Sequence, residues 1–328
     1  MPRLGVHLQL GHGLRRAAER AAEIGAETIQ VFIDNPSAWK RRAAPPKGLA
    51  EFRARLAELD IRPVAVHASY LVNLAGPDPA FRRNSIEGLA SELTAGRGYG
   101  ARFVNVHTGS HRETSVEEGV ERVATGVAEV LARADDAPAP ESADAGAAIP
   151  TLLLENAAGG GWAVGATIPE LVAVAERAAS LGVPEARLGF CLDTAHAWGA
   201  GWRVDDPDAI DALLETFDSE LGLQRLVMVH LNDSSSEPGS HRDRHQHVGA
   251  GQIGARGLGH LVRHPRLADR PFILETPGMD EGYDRVNLER ARALRDDRPL
   301  EALGPEAFDL SRRTRSAAPS DDDVEGAA

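Results

Sequence analysis

The stretch LGFCLDTAH, residues 188–196, carries the clearest signal of the fold class. Its first part, Leu188–Leu192, is a short apolar run of the length expected for a strand buried on both faces. The run ends on Asp193, and His196 follows three residues later. Other predicted strands also end on a histidine or a glutamate, at His67, His107, Glu155, His230 and Glu275. Because parallel strands in an alternating β/α chain open their carboxyl ends onto one face, we expect these side chains to converge.

Strands and helices alternate along the rest of the chain. The predicted strands are Leu4–Leu8, Thr28–Phe32, Pro63–His67, Phe103–His107, Thr151–Glu155, Leu188–Asp193, Leu226–Leu231 and Phe272–Glu275. The predicted helices are Leu14–Ile24, Leu49–Leu59, Ser85–Ala95, Val116–Ala134, Ile168–Ser180, Asp208–Leu221, Leu258–Val262 and Val286–Leu294. About eight βα units is the number that closes a parallel barrel.

The rival architecture is a doubly wound open sheet, which shows the same alternation of elements. An open sheet gathers its site where the strand order switches. Here polar strand ends recur from the third predicted strand to the last, and this distribution favours the barrel. We therefore predict an α/β protein with a single TIM (β/α)8 barrel domain at residues 1–296.

Two segments depart from this pattern. Residues 134–149, ADDAPAPESADAGAAI, lack apolar periodicity and are predicted to form a loop insertion away from the face with the polar strand ends. From about Pro305 the chain is rich in Ala, Ser, Arg and Asp. Residues 305–328 are predicted to form a disordered acidic tail.

Composition limits the class of protein. The formal net charge of −13 argues against a nucleic-acid binder that relies on a generally basic surface, although it leaves room for a local basic patch. The sequence contains no apolar run long enough for a membrane span and no N-terminal export signal, so a cytoplasmic protein is expected. The lone Cys191 lies within an apolar run and is predicted to be a core residue.

The polar strand ends have the chemistry of a metal site. Imidazoles and carboxylates together favour Zn²⁺, with Mn²⁺ or Fe²⁺ as alternatives, and a single cysteine argues against a thiolate zinc site. Two pairs are spaced to share one ion: Asp193 with His196, and Asp243 with His245 on one face of an extended segment. The alternative for the second pair is a solvated polar loop. Three glycines within residues 249–254 favour a tight turn near a ligand, although they would also serve as simple turn residues.

Seven segments of the chain closely resemble those of the endonuclease IV family. They are HASYLVNL (67–74), NVHTGSH (105–111), LLLENAAG (152–159), CLDTAHAWGAG (191–201), VHLNDS (229–234), DRHQHVGAGQIG (243–254) and ILET (273–276). The family comprises TIM-barrel DNA-repair enzymes with three zinc ions, which cleave beside abasic sites. The resemblance runs from near the N-terminus to about Leu294, without residues 134–149 and the tail, and it fills every metal-ligand position in order.

The resemblance implies about three zinc ions, with Mn²⁺ replacing zinc in part, held by nine residues. The first ion would be held by His67 and His107, and Glu155 would bridge it to the second. The second ion would also be held by Asp193, His230 and Glu275. The third would be held by His196, Asp243 and His245. A zinc-bound hydroxide positioned by Glu155 and Glu275 would attack the phosphorus on the 5′ side of an abasic deoxyribose. The products would be a 3′-hydroxyl and a 5′-deoxyribose phosphate.

The implied partner is double-stranded DNA with abasic sites or blocked 3′ ends, which the family also trims, and the implied state is a monomer. The second strand-end loop carries Trp39, Arg41 and Arg42, which we expect to contact DNA by stacking and by phosphate pairing. An ordinary solvated loop with a packed tryptophan is the alternative. In the third loop, Tyr70 and Leu71 match family residues that penetrate the duplex at the lesion.

The chain departs from the family pattern at two places. The family's second loop carries an arginine that inserts into the base stack, and this chain has Ser37 there, which predicts weaker binding of damaged DNA or compensation by Arg41 or Arg42. The first strand and its loop, VHLQLGHG, place His7 and His12 where the family has small residues.

Two rival functions remain open on the sequence alone. The first is a sugar isomerase or epimerase of the xylose-isomerase-like barrels, whose sites hold fewer metals and give no reason for His196, Asp243 and His245 to occur together. The second is a non-catalytic metal-binding or DNA-binding protein. Metal stoichiometry separates the first rival from the nuclease, and turnover separates the second.

Overall fold

The computed structural model describes residues 1–42, 44–279 and 281–309. Its strands are β1 (Leu4–Leu8), β2 (Thr28–Val31), β3 (Val64–His67), β4 (Ala101–His107), β5 (Thr151–Glu155), β6 (Leu188–Asp193), β7 (Leu226–His230), β8 (Asp233–Ser234), β9 (His245–Gln246) and β10 (Phe272–Leu274). Apart from β8 and β9, the strands are parallel and close into a barrel in the order β1-β10-β7-β6-β5-β4-β3-β2. The predicted single-domain TIM barrel is confirmed, and the open sheet is excluded because the first strand pairs with the last.

Helices lie between successive barrel strands and surround the barrel. They are α1 (Leu14–Ile24), α2 (Leu49–Glu58), α3 (Pro79–Tyr99), α4 (Val116–Asp136), α5 (Ile168–Ser180), α6 (Thr194–Gly199), α7 (Pro207–Leu221), α8 (Gly254–Arg263) and α9 (Tyr283–Arg295). Their ends follow local chemistry: α1 ends where Gly25 adopts a left-handed conformation with φ 73°. Helix α3 begins six residues earlier than predicted, because the Asp78 side chain accepts the Phe81 N–H and Pro79 suits the first turn.

A plug of side chains fills the barrel interior. One residue from each of six strands forms it: Ala65, Phe103, Leu153, Cys191, Met228 and Ile273. Cys191 is therefore a core residue, as the sequence predicts, and burial raises the pKa of its thiol to about 12. Because side chains alternate along a strand, residues two positions further on point to the same side as the plug. These positions include His67, Glu155 and Asp193, so the plug forms the floor of the site at the barrel mouth.

The structure corrects two predicted boundaries. The loop insertion does not begin at Ala134, because Ala134 packs in the core and α4 continues to Asp136. The connection that follows lies between α4 and β5, at the amino ends of the strands. The tail does not begin at Pro305, because Pro305–Ala307 form a 3-10 helix whose Ala307 carbonyl lies 2.7 Å from His247 Nε2. Residues 310–328, the rest of the predicted tail, lie outside the described residues.

Strands β8 and β9 form a short antiparallel pair that was not predicted. They pair Asp233 with Gln246 and Ser234 with His245, and they follow β7 at the barrel mouth. Within the part of the chain that the structure describes, no helix is both long and apolar enough to cross a membrane.

Candidate metal centre

The carboxyl ends of the barrel strands bring the predicted ligand residues together at one mouth. In the parallel pairing of neighbouring strands, His107 of β4 lies beside Glu155 of β5, and Asp193 of β6 lies beside His230 of β7. His196 is on α6, which begins directly after Asp193, and the Asp193 side chain accepts the His196 N–H at 2.8 Å. This short capped helix holds in place the pair that the sequence predicts to share one ion.

The first group consists of His67, His107 and Glu155, whose ligand atoms all lie within 4.8 Å of one another. His67 Nε2 is 3.7 Å and His107 Nε2 is 3.5 Å from Glu155 Oε2. His67 Nδ1 lies 2.7 Å from the carbonyl of Ala68, so Nδ1 carries the hydrogen and donates it. The lone pair on Nε2 therefore faces the carboxylate.

The second group consists of Glu155, Asp193, His230 and Glu275. His230 Nδ1 is 3.2 Å from Glu155 Oε1, 3.7 Å from Asp193 Oδ2 and 3.3 Å from Glu275 Oε2. His230 Nε2 is 3.1 Å from Gln30 Oε1, while the Gln30 amide donates to Glu275 Oε1 at 2.7 Å. Gln30 thereby fixes the tautomer of His230, and the lone pair on Nδ1 points at three carboxylates.

The third group is built around Asp243. Its Oδ2 is 3.3 Å from His196 Nε2 and its Oδ1 is 3.0 Å from His245 Nε2. His196 Nδ1 lies 2.9 Å from the Asn156 carbonyl, and His245 Nδ1 lies 2.6 Å from the Glu275 carbonyl. Both rings thus donate from Nδ1 and present Nε2 to Asp243. Asp193 belongs to this cluster as well, because its ligand atom lies within 4.8 Å of those of His196 and His245, with Oδ2 3.8 Å from His245 Nε2.

The arrangement fits divalent cations. Buried Asp243 Oδ1 has no hydrogen bond of good geometry although His245 Nε2 is only 3.0 Å away. A buried imidazole and carboxylate this close together need a proton or a metal ion between them, because leaving both unpaired costs free energy. One nitrogen of these rings contacts a carbonyl or amide oxygen, and the other faces carboxylates. This is the usual surrounding of a metal-binding histidine. The structure thus brings the predicted ligand residues together at one mouth, although it groups Asp193 with His196 and His245, and the binding of metal by any of them stays a prediction.

The electrostatics of the three groups also favour the binding of cations. Burial alone lowers the pKa of His196, but Asp193 and Asp243 raise it well above its ordinary value. For His245, the lowering by burial is outweighed by Asp243, and its pKa rises to about 10. Burial raises the pKa of Glu155, yet the surrounding histidines, His230 first, hold it well below the ordinary value. The site therefore demands positive charge, which protons or metal ions can supply.

Polar residues that the sequence analysis did not assign complete the surroundings. Gln30 was missed, although a buried glutamine inside an otherwise apolar strand is a detectable signal. His7, noted only as a departure, lies with Nδ1 3.1 Å from Glu275 Oε1. Asn232 joins two ligand residues: its amide donates to Asp193 Oδ2 at 2.6 Å and its oxygen accepts the Glu275 N–H at 2.8 Å.

The loop from 243 to 254 is packed rather than solvated. Buried Asp233 accepts hydrogen bonds from the N–H groups of Gly251, Ile253 and Gly254. A Cβ on Gly251 would lie 2.3 Å from the Ser234 carbonyl, so this close approach requires glycine. The tight turn predicted from the glycines is present, but it forms around Asp233.

The predicted DNA-contact residues divide into two sets. Tyr70 lies at the metal groups, with its ring centroid 5.6 Å from that of His67, and Leu71 follows it in the same loop. Trp39 instead packs edge-on against Phe81 of α3, with ring centroids 5.2 Å apart. Neither position tests contact with DNA.

The two arginines of the second loop have partners within the chain. Arg41 Nη2 lies 3.1 Å from Glu92 Oε1, and this buried carboxylate also accepts the Ser69 N–H. Arg42 Nε lies 3.1 Å from Asp34 Oδ1, and its side chain is half exposed. Arg41 would have to leave Glu92 to reach a phosphate, whereas Arg42 is accessible.

Known proteins resemble this chain over most of its length. Residues 18–298 match the family model described as a xylose isomerase-like TIM barrel. A protein of Halorhodospira halophila named probable endonuclease 4 is 40% identical over 283 residues, which are 86% of this chain and 91% of that protein. The crystal structure of endonuclease IV from Thermus thermophilus matches with a TM-score of 0.75 and 37% identity, covering 90% of this chain and 100% of that one.

More distant barrels share the fold only. A D-tagatose 3-epimerase-like protein matches with a TM-score of 0.63 and 17% identity, covering 90% of this chain and 98% of that one. The resemblance to probable endonuclease 4 is of a different order, since it combines higher identity with nearly complete coverage. The family and the enzyme class predicted from the sequence are thus confirmed, and the chain belongs to the endonuclease IV family of xylose isomerase-like TIM barrels.

Proposed function

We propose that this protein hydrolyses the phosphodiester on the 5′ side of abasic sites in double-stranded DNA and also trims blocked 3′ ends. Incision would leave a 3′-hydroxyl and a 5′-deoxyribose phosphate. The observation that carries the proposal is the clustering of imidazoles and carboxylates at the barrel mouth, with contacts as short as the 3.0 Å between His245 Nε2 and Asp243 Oδ1. The names of the related proteins support a nuclease that acts on DNA.

Three zinc ions are proposed, with Mn²⁺ replacing zinc in part. The first would be held by His67, His107 and Glu155, the second by Glu155, Asp193, His230 and Glu275, and the third by His196, Asp243 and His245. Such ions supply a water that ionises near neutral pH and positive charge for the phosphate oxygens. Their charge also explains how a chain of net charge −13 can bind a polyanion.

The residues of the chain would orient the reactants. Glu155 and Glu275 stay ionised, because for both carboxyls the neighbouring histidines, His230 first, outweigh the burial that raises the pKa. Each can accept a hydrogen bond from the attacking water and hold its oxygen toward phosphorus. His7 and Gln30 hold the Glu275 carboxylate from behind, at 3.1 and 2.7 Å.

The lesion would be held by the strand-end loops. Tyr70, beside His67, and Leu71 are proposed to enter the duplex and support the extruded sugar. Arg42 is the more accessible candidate for a phosphate contact, and Trp39 and Arg41 are the less accessible ones. Ser37 is exposed in this loop and offers no base-stack insertion, which predicts modest affinity for the lesion. We propose a cytoplasmic monomer.

A duplex carrying one abasic-site analogue tests the proposal. Purified protein should incise it on the 5′ side, prolonged chelation should abolish incision, and re-added Zn²⁺ should restore it. The product ends, read on a sequencing gel and by extension with a polymerase, should include a 3′-hydroxyl. Incision on the 3′ side would overturn the proposal. Incision that survives chelation would also overturn it, if metal analysis shows that no ion is bound.

A further inference from the structure

Three ligand-type side chains meet on the outer helices, apart from the nine residues at the barrel mouth. Asp211 lies on α7, His260 lies on α8, and His264 directly follows α8. One ligand atom from each lies within 4.8 Å of the other two. His260 Nε2 is 2.6 Å and His264 Nε2 is 3.3 Å from the same oxygen, Asp211 Oδ1.

The helix geometry creates this cluster. Residues four apart are neighbours on a helix surface, so His260 and His264 face the same side, with ring centroids 5.6 Å apart. Helix α7 packs beside α8 and presents Asp211 to both rings. Two imidazoles from one helix and a carboxylate from the next form a chelate that needs no rearrangement of the backbone.

We propose that Asp211, His260 and His264 bind a divalent transition-metal ion, with Zn²⁺ the best match to this donor set. Two neutral imidazoles and one carboxylate are common protein ligands of zinc, and a water molecule can complete the tetrahedron. Room for that water exists on the solvent side, where the side chains of Asp211 and His260 are 51% and 30% exposed. Nothing in the function proposed for the barrel mouth uses these residues.

Binding would shift one hydrogen within each imidazole ring. Without metal, each ring donates its Nε2 hydrogen to the shared Asp211 oxygen. With metal, both Nε2 atoms coordinate and the ring hydrogens move to Nδ1. His264 Nδ1 now accepts the Arg266 N–H at 3.3 Å, and this long hydrogen bond would be given up. Binding therefore gives up three hydrogen bonds, two from the rings to Asp211 and one from Arg266, and gains three coordinate bonds.

An occupied site would join two neighbouring helices of the outer layer. An ion that binds only the folded chain stabilises it by mass action, so the melting temperature should rise with zinc concentration. This effect is separate from turnover. The site is thus inferred to be structural.

Equilibrium dialysis of the full chain against buffered Zn²⁺ tests the site. His260→Gln and Asp211→Asn each remove one ligand, and Glu215→Gln, one turn along α7 and exposed, is the matched control. The wild type and Glu215→Gln should bind about one more zinc ion per chain than His260→Gln or Asp211→Asn. Their zinc-induced rise in Tm should also be larger.

Equal zinc content and equal zinc-induced Tm shifts in all four proteins would overturn the proposal. The comparison concerns a difference between variants, so it does not depend on how many ions the barrel mouth holds. If His260→Gln fails to fold, Asp211→Asn still decides the result, because its side chain is half exposed and keeps its shape. Failure here would leave the proposed nuclease function untouched.

Discussion

At the barrel mouth, Glu275 is a predicted ligand residue, and other residues orient its carboxylate. Its Oε2 lies 3.3 Å from His230 Nδ1, while Gln30 and His7 hold its Oε1. The strand-end glutamate is visible in the sequence because an apolar run ends on it. Its supports are harder to see, since Gln30 sits inside a strand and His7 is distant in sequence. Sequence patterns thus reveal the ligands more readily than the groups that orient them.

Glu275→Gln should preserve the fold and lose most turnover. The amide keeps the shape of the side chain but lacks the negative charge that the second metal group requires. Loss of a catalytic carboxylate typically lowers the rate about 10²–10⁴-fold. Steady-state incision of abasic DNA measures the effect, circular dichroism checks the fold, and Glu215→Gln serves as a charge-matched control. Incision at the wild-type rate would show that Glu275 has no essential role.

Among the secondary-structure elements, strand ends were more predictable than loops. Strands β1, β5 and β6 have the predicted bounds, and for β5 and β6 this is because the apolar run ends sharply on a carboxylate. The pair of β8 and β9 escaped prediction because two-residue strands leave no periodic pattern. Contacts of loop residues with distant residues were not predicted either. The ion pair of Arg41 with Glu92, for example, joins residues far apart in sequence that only the fold brings together.

Arg41 and Arg42 should therefore respond differently to substitution. Arg41→Ala leaves buried Glu92 without its cation, and such losses cost about 3–5 kcal/mol of unfolding free energy. Protonation of Glu92 would limit the cost, since burial raises the pKa of this carboxyl to about 7 despite Arg41. Arg42→Ala should leave stability nearly unchanged and weaken DNA binding. Chemical denaturation and DNA titration separate the two effects, and equal stability of both variants would contradict the assignment.

For the molecule as a whole, the barrel is the most predictable feature, because the number of βα units and the spread of polar strand ends depend on no single residue. What the sequence leaves open is the charge balance at the mouth. Histidines there have pKa values raised by carboxylates, most clearly His196 and His245. Burial opposes this rise in each case. The folded, metal-free chain should thus hold protons that the unfolded chain releases.

This charge balance predicts the pH dependence of stability. A histidine whose pKa is raised on folding stabilises fully below the unfolded value of 6.5, and this contribution is lost as pH rises through the folded value, about 10 for His245. The chelated protein should lose about 1.4 kcal/mol per pH unit for each such histidine above about pH 6.5. Metal ions replace these protons, so the loaded protein should lose less. Thermal melts between about pH 6 and 9 measure the difference, and parallel curves for the two forms would contradict this charge balance.

The presence of three ions at the barrel mouth is tested most directly by a crystal structure of the purified protein with anomalous diffraction at the zinc edge. We expect three peaks: one between His67 and His107, one beside His230, and one between His196 and His245. Each should lie within about 2.0–2.3 Å of its nitrogen and oxygen ligands. One peak or none at the mouth of an active, unchelated protein would contradict the three-metal centre.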